Sequence, residues 1–260
     1  MLGYCCINQT LRNTKPAKYS VFCSRSMTKK TFNIVRASEL ALANCLDLLT
    51  ILKWNEQHNI RCFRISSDIL PRFTCSEFGY SFDDLPDTRA IRYTLKSCGD
   101  YAFDHGHLIS FHPGPFTTLA SPTDAALANG IKEFMYHNLL ADLIDPLNRL
   151  FIPINIHIGG SYAGDYQNTA NLFINTFNSL PSSAQSRLVI ENDDKASCWS
   201  VQRLYDYVTS HISTPITFDA HHWLFCHDND TMQRDFELAR STWGDKPMQV
   251  HYSQSPTLIN

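Results

Sequence analysis

Several features that mark particular protein classes are missing from this sequence. No apolar run reaches the roughly 18 residues of a membrane-spanning helix, and the first residues, MLGYCCINQT, lack the basic start and long apolar run of a secretory signal. The nine cysteines are scattered and odd in number, and none forms a CxxC pair. A zinc knuckle is therefore disfavoured, and we expect reduced thiols in an intracellular protein without a membrane partner.

Charge and glycine patterns argue against two further classes. The net charge is −3 and charged residues make up 18% of the chain, so no global attraction for nucleic acid is expected, although a local basic groove is compatible with this composition. No GxGxxG follows the first predicted strand, which disfavours a dinucleotide-binding sheet. No internal repeat or low-complexity linker interrupts the 260 residues, and we predict a single domain over residues 1–260.

The sequence does contain a series of short apolar runs, each ending in a polar or glycine-containing turn. Their length and their β-branched or aromatic content are typical of buried parallel strands. Seven such runs are predicted as strands: LGYCCI (2–7), IRCFRISSD (60–68), HLISFHPG (107–114), FIPINIHIGG (151–160), SRLVIEND (186–193), TPITFDAHH (214–222) and PMQVHYSQ (247–254).

Helical segments lie between these strands. In residues 36–59 an apolar face repeats at spacings of three and four, and Ser38 is predicted to cap its start. Thr123 is the corresponding cap candidate for a helix over 122–144. The polar segment 11–35 is expected to form a long loop, and further helices are predicted over 87–106, 168–180 and 197–210.

The alternation of strands and helices predicts an α/β fold. About seven βα units can be counted, so the best fit is a TIM-type (βα)8 barrel that is incomplete at the C-terminus. An open doubly wound sheet is the alternative architecture.

Potential metal ligands follow five of the predicted strands at the point where each strand ends. Because the C-terminal ends of parallel barrel strands converge on one rim, these side chains should face one basin. Imidazoles and carboxylates together suit zinc or manganese, and paired ions bridged by a carboxylate can bind a phosphate and activate a water. Phosphodiester hydrolysis is therefore predicted. The candidates are His112, His157, Glu191, Asp219 and His251, with His221 and His222 just after the aspartate.

The stretch LVIENDD (188–194) ends one of these strands in a cluster of polar residues. Glu191 is predicted to turn inward as a bridging ligand and to act in catalysis. Asn192 is predicted to support the strand end and is a candidate for substrate contact. Asp193 and Asp194 are expected to face solvent or to cap the next helix.

Other residues near strand ends are candidates for substrate contact or proton transfer. Asp68 follows the second strand as a candidate for proton transfer, with a turn role as the alternative. Phe116, after the HPG turn, is placed to stack on or wedge beside a base. Tyr162 and Tyr4 are further stacking candidates, each with core packing as the alternative, and Asn8 is a candidate for substrate contact near Tyr4.

Taken in order, these motifs resemble the ultraviolet-damage endonuclease family. LGYCCINQTLR is similar to its N-terminal strand and loop, and ILKWNEQHNIRCFRISSDILP to its first long helix and second strand. ISFHPG, IHIGGSYAGD, LVIENDD and FDAHH follow in the family order, so the resemblance covers residues 2 to about 255.

The resemblance implies a TIM barrel and an ATP-independent nuclease that nicks damaged double-stranded DNA 5′ to pyrimidine dimers and 6-4 photoproducts during repair. It also implies a cluster of divalent ions, most often manganese, with zinc or magnesium as alternatives. We expect the chain to act as a monomer. His222 is favoured over His221 because it lies three residues after the aspartate. The positions that match the family's ligands are His112, His157, Glu191, Asp219, His222 and His251.

The sequence departs from the family pattern at several points. Pro115 stands where family members commonly have glutamine, Gln249 where some have lysine, and Asp68 where some have histidine. The family pattern continues to another histidine and a last strand with a glutamate ligand, and neither occurs up to Asn260. A fragment, a gap filled by another chain, and a copy without activity are the alternatives that this leaves open.

Two other functions are compatible with the motifs. A sugar isomerase or epimerase on the same barrel also uses Glu, Asp and His with a divalent metal at strand ends. The CINQTL and RISSD motifs and the aromatic residue after HPG favour the nuclease. A truncated, non-catalytic binder of damaged DNA is the other alternative, because the C-terminal ligands of the family pattern are missing.

Overall fold

The computed structural model describes residues 1–13, 29–77, 79–162, 164–228 and 231–253. Most of the segment expected to form a long loop therefore lies outside the described residues. The expectation is wrong at both of its ends, where α1 spans Gln9–Asn13 and α2 begins at Ile34. Asparagine side chains start both helices: Asn8 accepts the N–H of Leu11, and Asn33 accepts two N–H groups of α2.

The chain divides into two compact units. The first consists of Met1–His112 and Met135–Pro153, and the second of Pro113–Phe134 and Ile154–Asn260. Helix α4 (Asp124–Ile144) contributes residues to both. A single domain over residues 1–260 stays a prediction, because compactness does not measure whether either unit folds alone.

Among its described residues, the first unit contains three parallel strands, β1 (Gly3–Cys5), β2 (Cys62–Ile65) and β3 (Leu108–Phe111). Helices α2 (Ile34–Gln57) and α3 (Thr88–Asp104) pack against each other in this unit. Both helices bury apolar side chains that recur at spacings of three and four, which explains why the sequence pattern identified them. The buried set includes Leu48, Leu52, Ile91 and Leu95.

Ser38 does not cap α2 as predicted, because the helix begins one turn earlier. Asn33 is the N-cap, and its side chain accepts the N–H groups of Val35 and Arg36. Ser38 is fully buried, and its hydroxyl donates a hydrogen bond of 2.9 Å to the Asp87 carboxylate while accepting the Asp87 N–H at 2.8 Å. Asp87 precedes α3, so Ser38 ties the two helices together.

The second unit contains four parallel strands among its described residues: β4 (Ile154–Ile156), β5 (Leu188–Glu191), β6 (Ile216–Asp219) and β7 (Val250–His251). Every residue of β4, β5 and β6 is buried. A strand that is covered on both faces needs apolar residues at consecutive positions, which explains the continuous runs in the sequence.

Helices separate the strands of the second unit, although not always with the predicted bounds. The helix predicted over 197–210 starts at Val201, because Ser200 caps it, and it contains a π-helical turn at Tyr205–Thr209. The helices of this unit that follow α4 are α5 (Tyr166–Ser179), α6 (Ser182–Arg187), α7 (Val201–Leu204), α8 (Ser210–Ile212), α9 (Ala220–Trp223) and α10 (Met232–Ser241).

Each of the seven predicted strands contains one observed strand, and helices lie between them in the described chain. The predicted α/β order is therefore confirmed. Within the described ranges, no helix combines the length and apolar character needed to cross a membrane.

Candidate metal centre

The C-terminal ends of β5, β6 and β7 bring Glu191, Asp219 and His251 together. One ligand atom from each lies within 4.8 Å of the others. His251 Nδ1 lies 2.9 Å from Glu191 Oε1 and 3.9 Å from Asp219 Oδ2. The parallel strand register brings these residues together. Glu191 of β5 pairs with Thr217 of β6, and Asp219 of β6 pairs with His251 of β7. These three residues form a candidate metal site within the second unit.

Glu191 is the most enclosed member of this site, with a side chain that is 1% exposed. Its Oε2 accepts a hydrogen bond from Asn155 Nδ2 and lies 3.8 Å from His157 Nε2. Its Oε1 lies 3.6 Å from His222 Nδ1 and close to His251. A buried carboxylate is costly unless positive charge compensates it, which here means protonated imidazoles or a cation.

The two carboxylate oxygens of Asp219 make different contacts: one caps a helix, and the other faces the candidate metal site. Oδ1 accepts the N–H groups of His221 and His222 at 2.8 Å each, and so caps α9. Oδ2 lies 4.0 Å from His222 Nε2 and 3.9 Å from His251 Nδ1. Because the cap holds one oxygen, the carboxylate presents the other one to the histidines.

Asn192, a predicted substrate contact, is fully buried next to the site. Its side chain forms two hydrogen bonds with the backbone of Asp219. The backbone carbonyl oxygen of Asn192 lies 2.9 Å from His222 Nδ1. The predicted support of the strand end is therefore observed, and substrate contact by Asn192 stays a prediction. The ring of the alternative ligand, His221, contacts Phe225 with 5.2 Å between ring centroids.

The expectation that Asp193 faces solvent is wrong. Its side chain is 13% exposed, and its Oδ1 lies 2.9 Å from His157 Nδ1. The backbone N–H of Asp193 donates to the Trp199 carbonyl at 2.9 Å, which folds the loop after β5 and turns the carboxylate toward the histidine. Asp194, the next residue, is exposed as expected.

Opposing effects act on the pKa of His157. Burial lowers this pKa, whereas the hydrogen bond with Asp193 and the negative charge of Glu191 raise it. The carboxylates prevail, so the pKa of His157 is raised above its ordinary value of 6.5.

Four predicted site residues belong to the first unit, and two of them, His112 and Asp68, follow strand ends. His112 directly follows β3, and its carbonyl oxygen accepts a hydrogen bond of 3.5 Å from the Ser67 hydroxyl. Asp68 is exposed in the short turn Ser67–Ile69 after β2, where its N–H donates to Ser66 Oγ at 3.3 Å. Both positions follow strand ends, while the roles of His112 as ligand and of Asp68 in proton transfer stay predictions.

Tyr4 and Asn8, two predicted substrate contacts, are hydrogen-bonded to each other. The Tyr4 hydroxyl accepts from Asn8 Nδ2 at 2.8 Å and donates to Asn55 Oδ1 at 2.6 Å. The Tyr4 ring also packs edge-on against Phe63, with 5.1 Å between centroids. These contacts fit the packing alternative for Tyr4, and a role of either residue in substrate contact stays a prediction.

Phe116 and Tyr162, the other stacking candidates, are exposed in loops of the second unit. Phe116 is 92% exposed and lies in a turn that the Thr117 N–H closes on the Gly114 carbonyl at 2.9 Å. Tyr162 is 38% exposed and has a positive φ of 36°. An aromatic ring held out in solvent can stack on a base, so the structure is compatible with this prediction for both residues.

Asn155 is a site residue that the sequence analysis missed. It is fully buried in β4 and donates to Glu191. It precedes His157 by two residues, and the period of two along a strand directs such side chains to the same face. The two-residue spacing from His157 was therefore a sequence signal that could have identified Asn155. Asp193 had no comparable signal, because the conformation of a loop decides where its carboxylate points.

Comparisons with known proteins identify the same family that the sequence motifs resemble. The family model described as UV-endonuclease UvdE matches residues 1–258. The UV-damage endonuclease of Schizosaccharomyces pombe is 30% identical over 275 residues, which cover 100% of this chain and 43% of that protein. The UV DNA damage endonuclease of Clostridium perfringens is 29% identical over 259 residues, covering 97% of this chain and 58% of that protein. The chain thus spans about half the length of these curated relatives.

Solved structures show the same fold class. The crystal structure of SacUVDE is similar with a TM-score of 0.83 and 30% identity, over 98% of this chain and 81% of that chain. A D-psicose 3-epimerase from Clostridium cellulolyticum H10 is 13% identical with a TM-score of 0.51, over 80% of this chain and 68% of that chain, and this likeness concerns the fold alone. The predicted TIM-type α/β barrel class is confirmed. Since the family model matches almost from end to end, the chain belongs to the UV-endonuclease UvdE family.

Proposed function

We propose that this chain is a metal-dependent endonuclease of DNA repair that cleaves ultraviolet-damaged DNA. The observation that carries the proposal is the buried Glu191, with His157, His222 and His251 around its two oxygens, in a chain of the UvdE family. The reaction is hydrolysis of a phosphodiester bond immediately 5′ to a pyrimidine dimer or a 6-4 photoproduct, without ATP. The relatives named UV-damage endonuclease support this substrate class.

The donor set of the site fits a divalent metal. Two carboxylates, Glu191 and Asp219, lie among imidazoles with side chains only 1% and 8% exposed, and a cation would remove the cost of burying their charge. Imidazole and carboxylate ligands together suit manganese or zinc, and we propose manganese. The residues proposed to hold the ions are His157, Glu191, Asp219, His222 and His251, with His112 added from the sequence pattern.

Bound divalent ions supply Lewis-acid stabilisation of a phosphoryl oxygen and a hydroxide nucleophile at neutral pH. The chain's own residues provide the setting for that chemistry. Asn155 holds Glu191 Oε2 through its amide, and Asn192 holds the strand end at Asp219, so both carboxylates keep fixed positions. Asp68, exposed after β2, is proposed to move a proton at its carboxylate during the reaction.

Recognition of damage is proposed to use an exposed aromatic ring. Phe116 is 92% exposed and follows a turn stiffened by Pro113 and Pro115. A bulky lesion is already poorly stacked, so extruding it costs less than extruding a normal base. Phe116 would fill or stack against the disturbed step, with Tyr162 as a second ring. Contacts to phosphates should make binding salt-dependent.

The test is a cleavage assay with manganese and a duplex that contains a single thymine dimer, beside an undamaged duplex of the same sequence. We expect a nick immediately 5′ to the dimer and none in the control duplex. Glu191→Gln should abolish the nick without changing the fold, whereas Asp194→Asn, at an exposed position three residues later, should cleave like the parent.

Two other results of this experiment would overturn the proposed nuclease activity. Tight, damage-dependent binding without a nick would overturn the nuclease and favour the alternative of a non-catalytic damage binder. Equal binding to damaged and undamaged DNA would overturn both. Epimerase activity has no specific support, because the likeness to the epimerase is one of fold at 13% identity.

A further inference from the structure

His157 faces a carboxylate on each side of its ring. Its Nε2 lies 3.8 Å from Glu191 Oε2, and its Nδ1 lies 2.9 Å from Asp193 Oδ1. The Asp193 contact has hydrogen-bond length, and the side chains of His157 and Asp193 are 19% and 13% exposed. The imidazole therefore has one nitrogen directed at the candidate metal site and the other engaged outside it.

We propose that Asp193 is a positioning residue for His157, which fixes the ring so that Nε2 is the nitrogen that binds metal. A carboxylate that accepts the Nδ1–H leaves the Nε2 lone pair free, orients the ring and raises its basicity as a ligand. The inference deepens the proposed function, because it rests on the proposed metal site.

Asp193 is itself held by hydrogen bonds on two of its atoms. Its N–H donates to the Trp199 carbonyl at 2.9 Å, and its Oδ2 accepts the Trp199 N–H at 3.2 Å. Oδ1 is the oxygen directed at His157. One carboxylate oxygen accepts a backbone N–H and the other contacts the imidazole of His157. Asp193 is therefore placed to orient His157 rather than to bind a metal ion itself.

Trp199 connects the same loop to the chain that carries His157. Its indole N–H donates to the Gly159 carbonyl at 3.0 Å, and its side chain is fully buried. Gly159 has a φ of 103°, which favours glycine, and a Cβ there would lie 2.9 Å from Thr118 Oγ1. The ring of His157 and the backbone two residues later are thus both anchored to the segment 193–199.

The test measures metal binding directly, with manganese or zinc alone and no DNA. Asp193→Asn should weaken the affinity of the full chain for manganese by about 10- to 100-fold, the usual cost of removing a carboxylate behind a metal-binding histidine. Asp194→Asn, which removes the same charge at the exposed neighbouring position, should change the affinity less than about threefold. An equal loss in both variants would indicate a general charge effect and overturn the proposal.

A second measurement uses the unchanged protein, so it does not depend on whether a variant folds. In the zinc-loaded chain with 15N-labelled histidine, the His157 resonance should show a proton on Nδ1 that is protected from exchange and a metal-shifted Nε2. His157→Gln assigns the signal. A proton on Nε2 with metal at Nδ1 would overturn the proposal, as would normal manganese affinity in Asp193→Asn.

These readouts separate the inference from the proposed nuclease. If the chain binds manganese and Asp193→Asn weakens that binding, the positioning role stands even where damaged DNA is not cleaved. If damaged DNA is cleaved while Asp193→Asn binds manganese like the parent, the nuclease stands and the positioning role is wrong. A chain that binds neither manganese nor zinc would contradict both.

Discussion

Asn192 and Asp219 exchange two hydrogen bonds across the ends of β5 and β6. Asn192 Nδ2 donates to the Asp219 carbonyl at 3.0 Å, and the Asp219 N–H donates to Asn192 Oδ1 at 2.8 Å. The side-chain amide thereby continues the backbone pairing one step beyond the strands. This pairing sets the position of Asp219 relative to Glu191, which directly precedes Asn192.

Replacing Asn192 should destabilise the fold as well as the site. Asn192→Ala removes both bonds and leaves a buried N–H and a buried carbonyl of Asp219 without these partners, which typically costs about 1–3 kcal/mol for each group. We expect a loss of roughly 2–6 kcal/mol in the free energy of unfolding by urea denaturation. Asn178→Ala, at an exposed position in α5, should not lose stability. Equal stability of the two variants would contradict the supporting role.

Metal binding should stabilise the folded chain. A ligand at about 100 times its dissociation constant contributes about 2.7 kcal/mol, so removing manganese with a chelator should lower Tm by several degrees in calorimetry. His251→Ala should abolish this difference, because His251 lies 2.9 Å from Glu191 in the site. His211→Ala, at an exposed position in α8, should retain it. A chelator effect of the same size in His251→Ala would place the ion elsewhere.

Phe116 should matter for damaged DNA and not for folding. Its 92% exposure means that Phe116→Ala removes almost no packing, whereas loss of base stacking costs about 1–3 kcal/mol. We expect affinity for a dimer-containing duplex to fall by about 5- to 150-fold, the same free energy expressed as a ratio, with Tm unchanged. Tyr93→Ala is the matched control, because Tyr93 lies in α3 and is 74% exposed. Parent-like affinity in Phe116→Ala would exclude a stacking role.

The acid stability of the first unit should depend on Glu56. Hydrogen bonds from Arg61 and His107 lower the pKa of Glu56 from 4.5 to about 2. A carboxyl group with a lowered pKa in the folded state stabilises that state above its unfolded pKa, near 4.5, and loses this contribution as the pH falls toward its folded pKa. The stability difference between the parent and Glu56→Gln should therefore be full at pH 7 and shrink between pH 4.5 and about 2.

Urea denaturation across this pH range measures the difference. Glu237→Gln, at an exposed position in α10, is the control for the loss of one carboxylate. A stability difference between the parent and Glu56→Gln that stays constant from pH 7 to pH 3 would contradict the lowered pKa of Glu56.

The candidate site shows how far the sequence could be interpreted. Glu191, Asp219 and His251 were predictable because each ends an apolar run, and parallel strands place their C-terminal ends side by side. Asn155 was also accessible through the period of two before His157. Ser38 was misassigned as a helix cap because Asn33, one turn earlier, supplies the same chemistry, and local sequence does not determine which of two capable residues the helix uses.

The sequence by itself determined the order of strands and helices, the UvdE family, and the residues available as metal ligands, because periodicity and motif order are local properties of the chain. Only the tertiary structure decided how those residues are used. LVIENDD contains three carboxylates within four positions, and nothing in that string separates them. Glu191 is buried among histidines, Asp193 turns back to His157, and Asp194 faces solvent. The difference arises from the loop that Trp199 closes, a contact between residues that no strand or helix period connects.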